Sequence, residues 1–520
     1  MPVQPTYPGI YIEEIPSTAR TITPAPTSTA AFIGYSHPFR TKTFGQAILL
    51  FSFADYEREF GGFFRSSAIP SYLPNAVNQF FVNGGSIAYV VGLQVSPATA
   101  LARVEASIDT DGSAANKILF KGIEPDSGLP DLVTTVSIEP VVTTDPNTSE
   151  KTAEITVAYG TRVEVYRDVN LDPNDNKSRF IKDKLKDSAL ITVDGNIPPP
   201  PLGTKFSIQK DVKLLPVGTP PNVPIASDFV NVFEPESSLD KVDIFNLLIL
   251  PGITDTSILS AALAFAEKKR AFLIMDPIEQ AVAAGPPNDH DMTDLMKSSL
   301  VPKSPNGAIY FPYLKSQDPI VGGRLDLPPS GFVAGVYART DTNRGTWKAP
   351  AGMEATLLNT TGVVETGRMT DMRQGFLNLA GVNCIRDFPG VGTVVFGART
   401  LTSANPAFQP WKYVPVRRMA LFIENTLYRE LKWVIFEPND EPLWLAIRTS
   451  VEAFMLSLFT QGAFQGAKPS QAFVVKCDST TTTQFDIDNG IINIIVGFRP
   501  LKPAEFVFVK IAQLAGQVQS

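Results

Sequence analysis

Cysteine and histidine are scarce in this chain of 520 residues. Its only cysteines are Cys384 and Cys477, which argues against a disulfide framework and for synthesis in a reducing compartment. Both stand in apolar stretches, so we interpret them as core thiols rather than nucleophiles. The only histidines are His37 and His290, which leaves Ser-His-Asp or Cys-His catalysis with few bases to draw on.

Long apolar runs, a basic excess and an export signal are also missing. No apolar run approaches the roughly 20 residues of a membrane span, so we expect no membrane insertion. The net charge of −7 does not support nucleic-acid binding, which usually needs a basic surface. The first residues lack the charged and apolar regions of a signal peptide, so we expect the protein to be made in the cytoplasm.

Three motifs could carry chemistry, and each has a simpler interpretation. The acidic cluster at residues 289–291 surrounds a histidine and could hold a metal, but its position before a predicted helix favours a solvated helix start. The glycines of Phe388–Gly397 suggest a phosphate loop, yet no Gly-Lys-Ser/Thr follows, and a tight turn is favoured. Asp486 and Asp488 precede a turn and lack a third cation ligand. We therefore expect no catalytic residue, no metal site and no cofactor.

What the chain does contain is an α/β pattern that is interrupted once. The chain is too long for one core, and two to four domains are expected. Between residues 107 and 228, Thr, Pro and Asp are frequent and several segments alternate, which predicts a β-rich insertion. Buried strands and amphipathic helices flank it. The predicted strands are 30–34, 47–51, 87–93, 244–250, 271–275 and 308–313, and the predicted helices are 52–61, 74–82, 256–268 and 292–300.

The predicted fold class is a mixed α/β and α+β multidomain protein. One α/β domain is split between residues 28–106 and 229–340 around an inserted domain at 107–228. A C-terminal domain at 341–499 combines two long amphipathic helices with a hairpin. A two-stranded sheet is marginal alone and has two open edges. The helices are predicted at 417–436 and 443–461, and the hairpin strands at 472–476 and 491–498.

Two extended arms, at residues 1–27 and 500–520, each contain a strand without a partner nearby. Tyr7–Ile15 is predicted as a strand with Ile10 and Ile12 on one side and Tyr11, Glu13 and Ile15 on the other, and an extended spacer from Ser17 to Pro26 follows it in place of a hairpin turn. Glu505–Ile511 is predicted as a second strand. Because a lone strand leaves its backbone donors and acceptors unpaired, both segments need the edge of another sheet.

One polar helix face is a candidate docking surface. Arg418, Asn425, Arg429 and Lys432 recur at helical spacing on the first long helix of the C-terminal domain. Such a face is typical of a solvated helix, and it would also suit an acidic partner. Both interpretations stay open at this point.

Several runs of sequence point to one family. In the C-terminal half they are PPSGFVAGVYARTDTNRGTWKAPAG (328–352), GVNCIRDFPGVGTVVFGARTL (381–401), WVIFEPNDEPLW (433–444) and VGFRPLKPAEFV (496–507). In the N-terminal half they are YPGIYIEEI, FADYEREFGG and AVNQFFVNGGSIAYVV. These runs closely resemble contractile tail sheath proteins of phages and of phage-tail-like injection systems. The resemblance does not reach the insertion.

The resemblance implies a structural role without catalysis. Sheath subunits stack as rings around an inner tube, lend their terminal strands to small sheets of their neighbours, and contract to drive the tube through a target envelope. The implied partners are further copies of the chain, an inner tube protein, and baseplate and terminal cap proteins, in a virion tail or a phage-tail-like particle. The polar helix face becomes a candidate contact with the inner tube. The residues implied in strand exchange are Ile10, Tyr11, Ile12, Glu13, Ile15, Phe506, Val507, Phe508, Val509 and Ile511.

Two alternatives remain. Another filament or baseplate component could also exchange strands between its subunits. An α/β enzyme with a β-rich insertion would need a nucleotide-binding glycine loop or a convergent acid–base set, and the sequence offers neither.

Overall fold

The architecture comes from a computed structural model, which describes residues 20–95, 103–109, 117–141, 152–171, 178–194, 206–217, 223–278, 303–364 and 369–509. The strand predicted at Tyr7–Ile15, the acidic cluster at 289–291 and the helix predicted at 292–300 lie outside these ranges. The strand predicted at 505–511 is described only as far as Val509.

A mixed sheet of eight strands lies at the centre of the molecule. Its inner strands pair in parallel, and only the two edge strands are antiparallel. Most inner strands are buried along their whole length, as their continuous apolar sequences predict. In sheet order the strands are β19 (Gly392–Val395), β18 (Val382–Phe388), β14 (Gly307–Phe311), β13 (Phe272–Met275), β12 (Leu247–Ile249), β1 (Ala30–Tyr35), β3 (Ala88–Leu93) and β2 (Ala47–Leu50).

The edge strand β2 differs from its prediction. The apolar run at 47–51 predicted a strand buried on both faces, but Leu49 is 41% exposed and Phe51, just beyond the strand, is 62% exposed. The reason is its position at the edge of the sheet, where, among the described strands, β2 pairs only with β3.

Strands from both sides of the insertion pair directly in this sheet. Ala31 of β1 lies opposite Leu248 of β12. The sheet also continues through β18 and β19, past the domain boundary predicted at residue 340. That boundary followed the end of the recognisable α/β alternation, whereas β18 joins the sheet after a long excursion and pairs with β14.

Helices cover both faces of the sheet and create two hydrophobic cores. Ala31 and Ile33 of β1 point into one core, and Ala30 and Phe32 point into the other, since side chains alternate across a strand. The covering helices are α1 (Phe53–Phe60), α2 (Tyr72–Val82), α5 (Thr256–Lys269), α6 (Ser330–Arg344) and α7 (Asp371–Leu379).

The boundaries of α1 and α5 follow from their caps. Ser52 accepts a hydrogen bond from the N–H of Asp55 at the start of α1, and Gly61 ends it at φ 84°, as the sequence predicted. Asp255 accepts from the N–H groups of Ser257 and Ile258 at the start of α5.

Helix α6 was not predicted, although nine of its 15 residues are buried. Its Gly331 and Gly335 face α2 so closely that a Cβ at Gly335 would lie 2.5 Å from the Cβ of Asn83. Because glycines lower helix propensity in an isolated chain, the sequence did not indicate a helix here. Here they permit the close approach of two helices.

The inserted segment forms two four-stranded antiparallel sheets around one shared core. The alternating residues 153–159 and 162–166, on either side of Gly160, predict a hairpin, and the structure contains it: β7 (Ala153–Tyr159) and β8 (Arg162–Val169) pair across a turn in which Gly160 has φ 58°. A short helix, α3 (Ile181–Leu185), packs into the same core. In sheet order the strands are β10 (Gln209–Lys213), β6 (Thr135–Pro140), β7 (Ala153–Tyr159) and β8 (Arg162–Val169) in one sheet, and β11 (Leu215–Pro216), β4 (Val104–Asp109), β5 (Lys117–Gly122) and β9 (Ile191–Asp194) in the other.

A buried ionic cluster joins the inserted segment to the α/β body. His37 of the body is fully buried, and its Nε2 lies 3.3 Å from Oε2 of Glu124 in the insertion. Its Nδ1 accepts the N–H groups of Phe39 and Arg40, so Nε2 carries the proton that Glu124 accepts. Glu124 also lies 2.7 Å from Arg40 and 3.1 Å from Arg162. Burial lowers the pKa of His37.

Smaller elements complete the body. A three-stranded sheet, in the order β16 (Arg324–Leu327), β15 (Leu314–Gln317) and β17 (Gly362–Val363), packs beside α2. Helix α4 (Ala226–Val230) and the 3-10 turn Asn231–Phe233 return the chain from the insertion to the sheet, and Phe229 is buried there.

The C-terminal region packs two long helices against a small sheet. The helices are α8 (Val414–Glu430) and α9 (Glu441–Thr460), and Phe422 and Ile447 contribute to their shared core. By length and composition α9 is apolar enough to cross a membrane, but half of its apolar window is buried within the chain. The other elements are the 3-10 turns Pro406–Trp411 and Lys432–Val434, α10 (Pro469–Ala472), α11 (Gln484–Asp488), β20 (Phe473–Lys476) and β21 (Ile495–Phe498).

Candidate functional site

The predicted hairpin is present as a separate two-stranded sheet. Strands β20 and β21 pair antiparallel, from Phe473 opposite Phe498 to Lys476 opposite Ile495. Val475 holds the sheet on the helical core, where it is buried together with side chains of α9. Among the described strands none adds to either edge, so both edges keep backbone groups that a further strand could pair with.

The chain leaves this sheet through a segment that we call the C-terminal root, residues 499–505. Its end is fixed by Glu505, whose carboxylate accepts from Arg399 Nε at 2.7 Å, Arg399 Nη2 at 2.8 Å, Asn378 Nδ2 at 3.0 Å and the Tyr413 hydroxyl at 3.0 Å. Burial by itself raises the pKa of Glu505, but these hydrogen bonds outweigh it and hold the pKa below its usual range. The carboxylate is therefore charged and fully bonded at neutral pH.

Beyond Glu505 the arm projects into solvent. Phe506, Val507, Phe508 and Val509 are between 65% and 88% exposed and form no strand in the isolated chain. Four consecutive exposed apolar residues are unusual on the surface of a monomeric protein. Their exchange with another subunit stays a prediction, and Ile511 lies outside the described residues.

The N-terminal arm also has a root, residues 20–27, which lies across α8 and α9. The N–H groups of Arg20 and Ala25 donate to Ser450 Oγ at 3.0 Å and Thr426 Oγ1 at 3.1 Å. Ile22 is buried in the helical core. The prediction of an extended spacer at 17–26 therefore needs correction in its second half, which is extended but fixed to the helices. The strand residues Ile10, Tyr11, Ile12, Glu13 and Ile15 lie outside the described residues.

Two residues of the predicted docking face are in the interior. Arg418 is 4% exposed, and its guanidinium donates to Asp341 Oδ1 at 2.8 Å and to the carbonyl of Thr27 at 3.0 Å. Asn425 is 5% exposed and donates to the carbonyl of Arg270. Their assignment to a surface that meets the inner tube is therefore wrong. Helical spacing alone did not distinguish a solvated polar residue from one with a buried partner.

The other two residues of that face are at the surface. Arg429 lies 2.7 Å from Asp243, and Lys432 lies above the ring of Tyr428. Lys432 falls in the 3-10 turn after α8, because the helix ends at Glu430 and not at Phe436 as predicted. β-Branched residues such as Val434 fit a helix end less well than the apolar spacing suggested.

The motifs examined for chemistry have structural roles in the described residues. Residues 389–391 form the tight turn between β18 and β19. Asp486 forms a capping box with Thr483 at the start of α11. Cys384 and Cys477 are both buried. Within the described ranges, no three His, Cys, Asp or Glu side chains cluster as metal ligands would.

The fold and these surfaces define an assembly protein, with open sheet edges, a projecting apolar arm and both arm roots fixed to the body. Two family profiles match the chain and together cover more than half of it: the phage tail sheath protein central domain at residues 237–401 and the phage tail sheath C-terminal domain at 407–513. The chain belongs to the contractile tail sheath family.

Individual relatives are distant. The tail sheath protein of Vibrio phage KVP40 is 26% identical over 185 residues, which are 35% of this chain and 26% of the phage protein. A prophage major tail sheath protein of Pseudomonas aeruginosa is 26% identical over 286 residues, which are 52% of this chain and 66% of that protein. The chain thus spans about a quarter of the first relative and about two thirds of the second.

Similarity of fold extends over nearly the whole chain. The sheath of the extracellular contractile injection system PVC, solved in its contracted state, has a TM-score of 0.59 to this chain. The two are 22% identical, and the match covers 98% of each. The similarity includes the region of the insertion, which the family profiles do not reach.

Proposed function

We propose that this chain is the subunit of a contractile sheath, which polymerises as stacked rings around an inner tube and contracts to drive that tube through a target envelope. The observation that carries the proposal is the small sheet β20–β21, whose edges have no partner among the described strands, beside an exposed apolar arm. Family membership supports the same role.

The proposed link between subunits is strand addition. Each subunit lends its N-terminal strand and its C-terminal strand to small sheets of its neighbours and accepts two strands in return. A ladder hydrogen bond contributes roughly 1 kcal/mol net, so one short strand is a modest link. Because four links per subunit would have to break together, the mesh holds through a large movement of the bodies.

The proposed division of the chain keeps the arms at 1–27 and 500–520 and the insertion at 107–228. The direct pairing of β1 with β12 supports a single α/β unit that the insertion splits. We extend that unit beyond residue 340 to include β18 and β19, because they belong to the same sheet.

The proposal also assigns partners. They are further copies of the chain, an inner tube protein, baseplate proteins and a terminal cap, assembled into a virion tail or phage-tail-like particle after synthesis in the cytoplasm. Of the predicted tube contacts, Arg429 and Lys432 remain, because both are at the surface and could meet an acidic tube.

Truncation of the N-terminal arm tests the mesh. Deletion of residues 1–19 keeps the N-terminal root with its bonds to Ser450 and Thr426, so the body is expected to stay folded. We expect negative-stain microscopy to show striated tubes from the full chain and dispersed particles from the truncation.

A point variant sharpens this test. Ile12→Pro removes one ladder donor and is expected to abolish tubes, whereas Ile12→Val keeps both the donor and the β propensity and should assemble normally. Tubes of normal length from the truncation or from Ile12→Pro would refute the proposed mesh.

A further inference from the structure

A groove of about 850 Å³ lies between the body and the C-terminal root. Its walls are α7, the loop that follows α6 and residues 501–506. Apolar and aromatic side chains make up much of its surface, which is the usual character of a docking pocket. Those that matter here are Trp347, Ala351, Phe396 and Ala398.

The groove carries an excess of positive charge. Among its lining residues, Arg386 lies 2.8 Å from Asp371, and Glu505 is neutralised by Arg399. The charged lining residues that remain are Arg344, Lys348 and Lys502, and all three are cationic. Arg344 also lies 3.0 Å from Glu354 outside the groove. The groove therefore suits an apolar group with acidic neighbours.

A segment of this chain has that character, and we call residues 435–440, between α8 and α9, the interhelix tip. Its Phe436 is completely exposed, at 102%, and has φ 73°. For a bulky residue such a backbone conformation is strained. Within the described residues the exposed ring of Phe436 gains no burial that would offset this strain.

The interhelix tip is nevertheless held in one shape. Asn439 donates to the carbonyl of Ile491 and accepts from the indole N–H of Trp444 at 2.8 Å. The N–H of Glu437 donates to the carbonyl of Val434. Because these hydrogen bonds hold the loop in one conformation before binding, little conformational entropy is lost when the exposed Phe436 side chain binds a partner.

We propose that the interhelix tip of one copy inserts Phe436 into the groove at the C-terminal root of a second copy, with Glu437 and its acidic neighbours facing Lys348 and Lys502. This inference rests on the proposed function, since it needs many copies side by side. The acidic neighbours are Asp440 and Glu441. They argue against the inner tube as occupant, because the tube contact proposed for Arg429 and Lys432 requires an acidic tube that would repel them.

Three variants test the contact in the full chain. Phe436→Gly removes the ring and relieves the strained backbone, so the monomer is expected to unfold at the same denaturant concentration or higher. We expect the protein concentration needed for tubes to rise at least tenfold. Ile208→Ala, which truncates another exposed apolar residue, serves as the control and should assemble normally. Glu437→Lys should weaken assembly, and adding Lys348→Glu to the same chain should restore it.

Cross-linking identifies the pair directly. The chain's own cysteines are both buried, so Phe436→Cys combined with Ala351→Cys should give covalent ladders with a short bismaleimide, and neither single variant should do so. Normal tubes from Phe436→Gly, or no ladder from the double variant, would overturn the proposal. Sheath-only tubes from Phe436→Gly that no longer enclose the inner tube would assign Phe436 to the tube instead. If the unmodified chain forms no tubes, the proposed sheath function is wrong. Cross-linking of the double cysteine variant in concentrated soluble protein would then still test the contact between Phe436 and the groove.

Discussion

At the scale of single residues, a few buried or half-buried charged side chains decide where the arms begin. Glu505 holds the C-terminal root, and Arg418 holds the N-terminal root through the carbonyl of Thr27. Both roots are extended chain without regular secondary structure, so side-chain bonds supply what a helix or sheet would otherwise provide. If the arms join other subunits as proposed, they would transmit force to the body through these bonds.

The pair of Arg418 and Asp341 gives a test at this scale. Asp341→Asn leaves a buried guanidinium without its counter-charge, and we expect a loss of about 3–5 kcal/mol in the free energy of unfolding. Urea denaturation measures it. Arg429→Gln breaks the surface pair with Asp243 and should cost no more than about 1 kcal/mol. Equal losses from the two variants would contradict the structural role given to Arg418.

At the scale of elements, the sequence predicted most inner strands of the large sheet because they are continuous apolar runs, but it did not predict β18. It also predicted the hairpin β20–β21, which carries the proposed function. The sequence did not predict α6, because it does not distinguish glycines that permit close helix packing from glycines that end helices. It could not predict the arm roots, since the donor of Ala25 and the acceptor of Thr426 are 401 residues apart. The strained tip was not predicted either, because Phe436 lay within the helix predicted at 417–436.

The packing of α6 on α2 gives a matched pair of variants. Gly335→Ala places a Cβ 2.5 Å from the Cβ of Asn83, and we expect it to destabilise the protein by about 1–3 kcal/mol. A Cβ at Gly375 of α7 would meet no atom within 4 Å, so Gly375→Ala should stabilise it by up to about 1 kcal/mol. Thermal unfolding of both variants would show opposite shifts, and shifts in the same direction would contradict the close packing.

At the scale of the whole molecule, the insertion has its own core and meets the body through the cluster around His37 and Glu124. Protonation of His37 would therefore change the contact between the insertion and the body. Because burial lowers the pKa of His37, the unfolded chain binds its proton more readily than the folded chain. The stabilising contribution is therefore present above the ordinary histidine pKa and is lost as pH falls through the lower folded value.

This linkage predicts a pH dependence of stability. The unfolding free energy of the natural chain should fall between pH 7 and pH 5, with a slope from this group of at most about 1.4 kcal/mol per pH unit. His37→Gln, which cannot titrate, should be less stable at pH 7 and should show a shallower slope, measured by urea denaturation at both pH values. The same slope in both proteins would rule out His37 as the source.

In the proposed mesh, the two fixed roots would set how far one body can move from its neighbour. The predicted N-terminal strand ends at Ile15, five residues before Arg20 is held by Ser450, and five residues span at most about 18 Å. In the C-terminal arm, Phe506 follows directly after the anchored Glu505, so no spacer separates the exposed apolar residues from the root. In that mesh, a neighbouring body joined through both arms could rotate about the two roots but could not move far from them. The proposed shortening of the sheath would then come from rotation of the bodies, with the arm lengths unchanged.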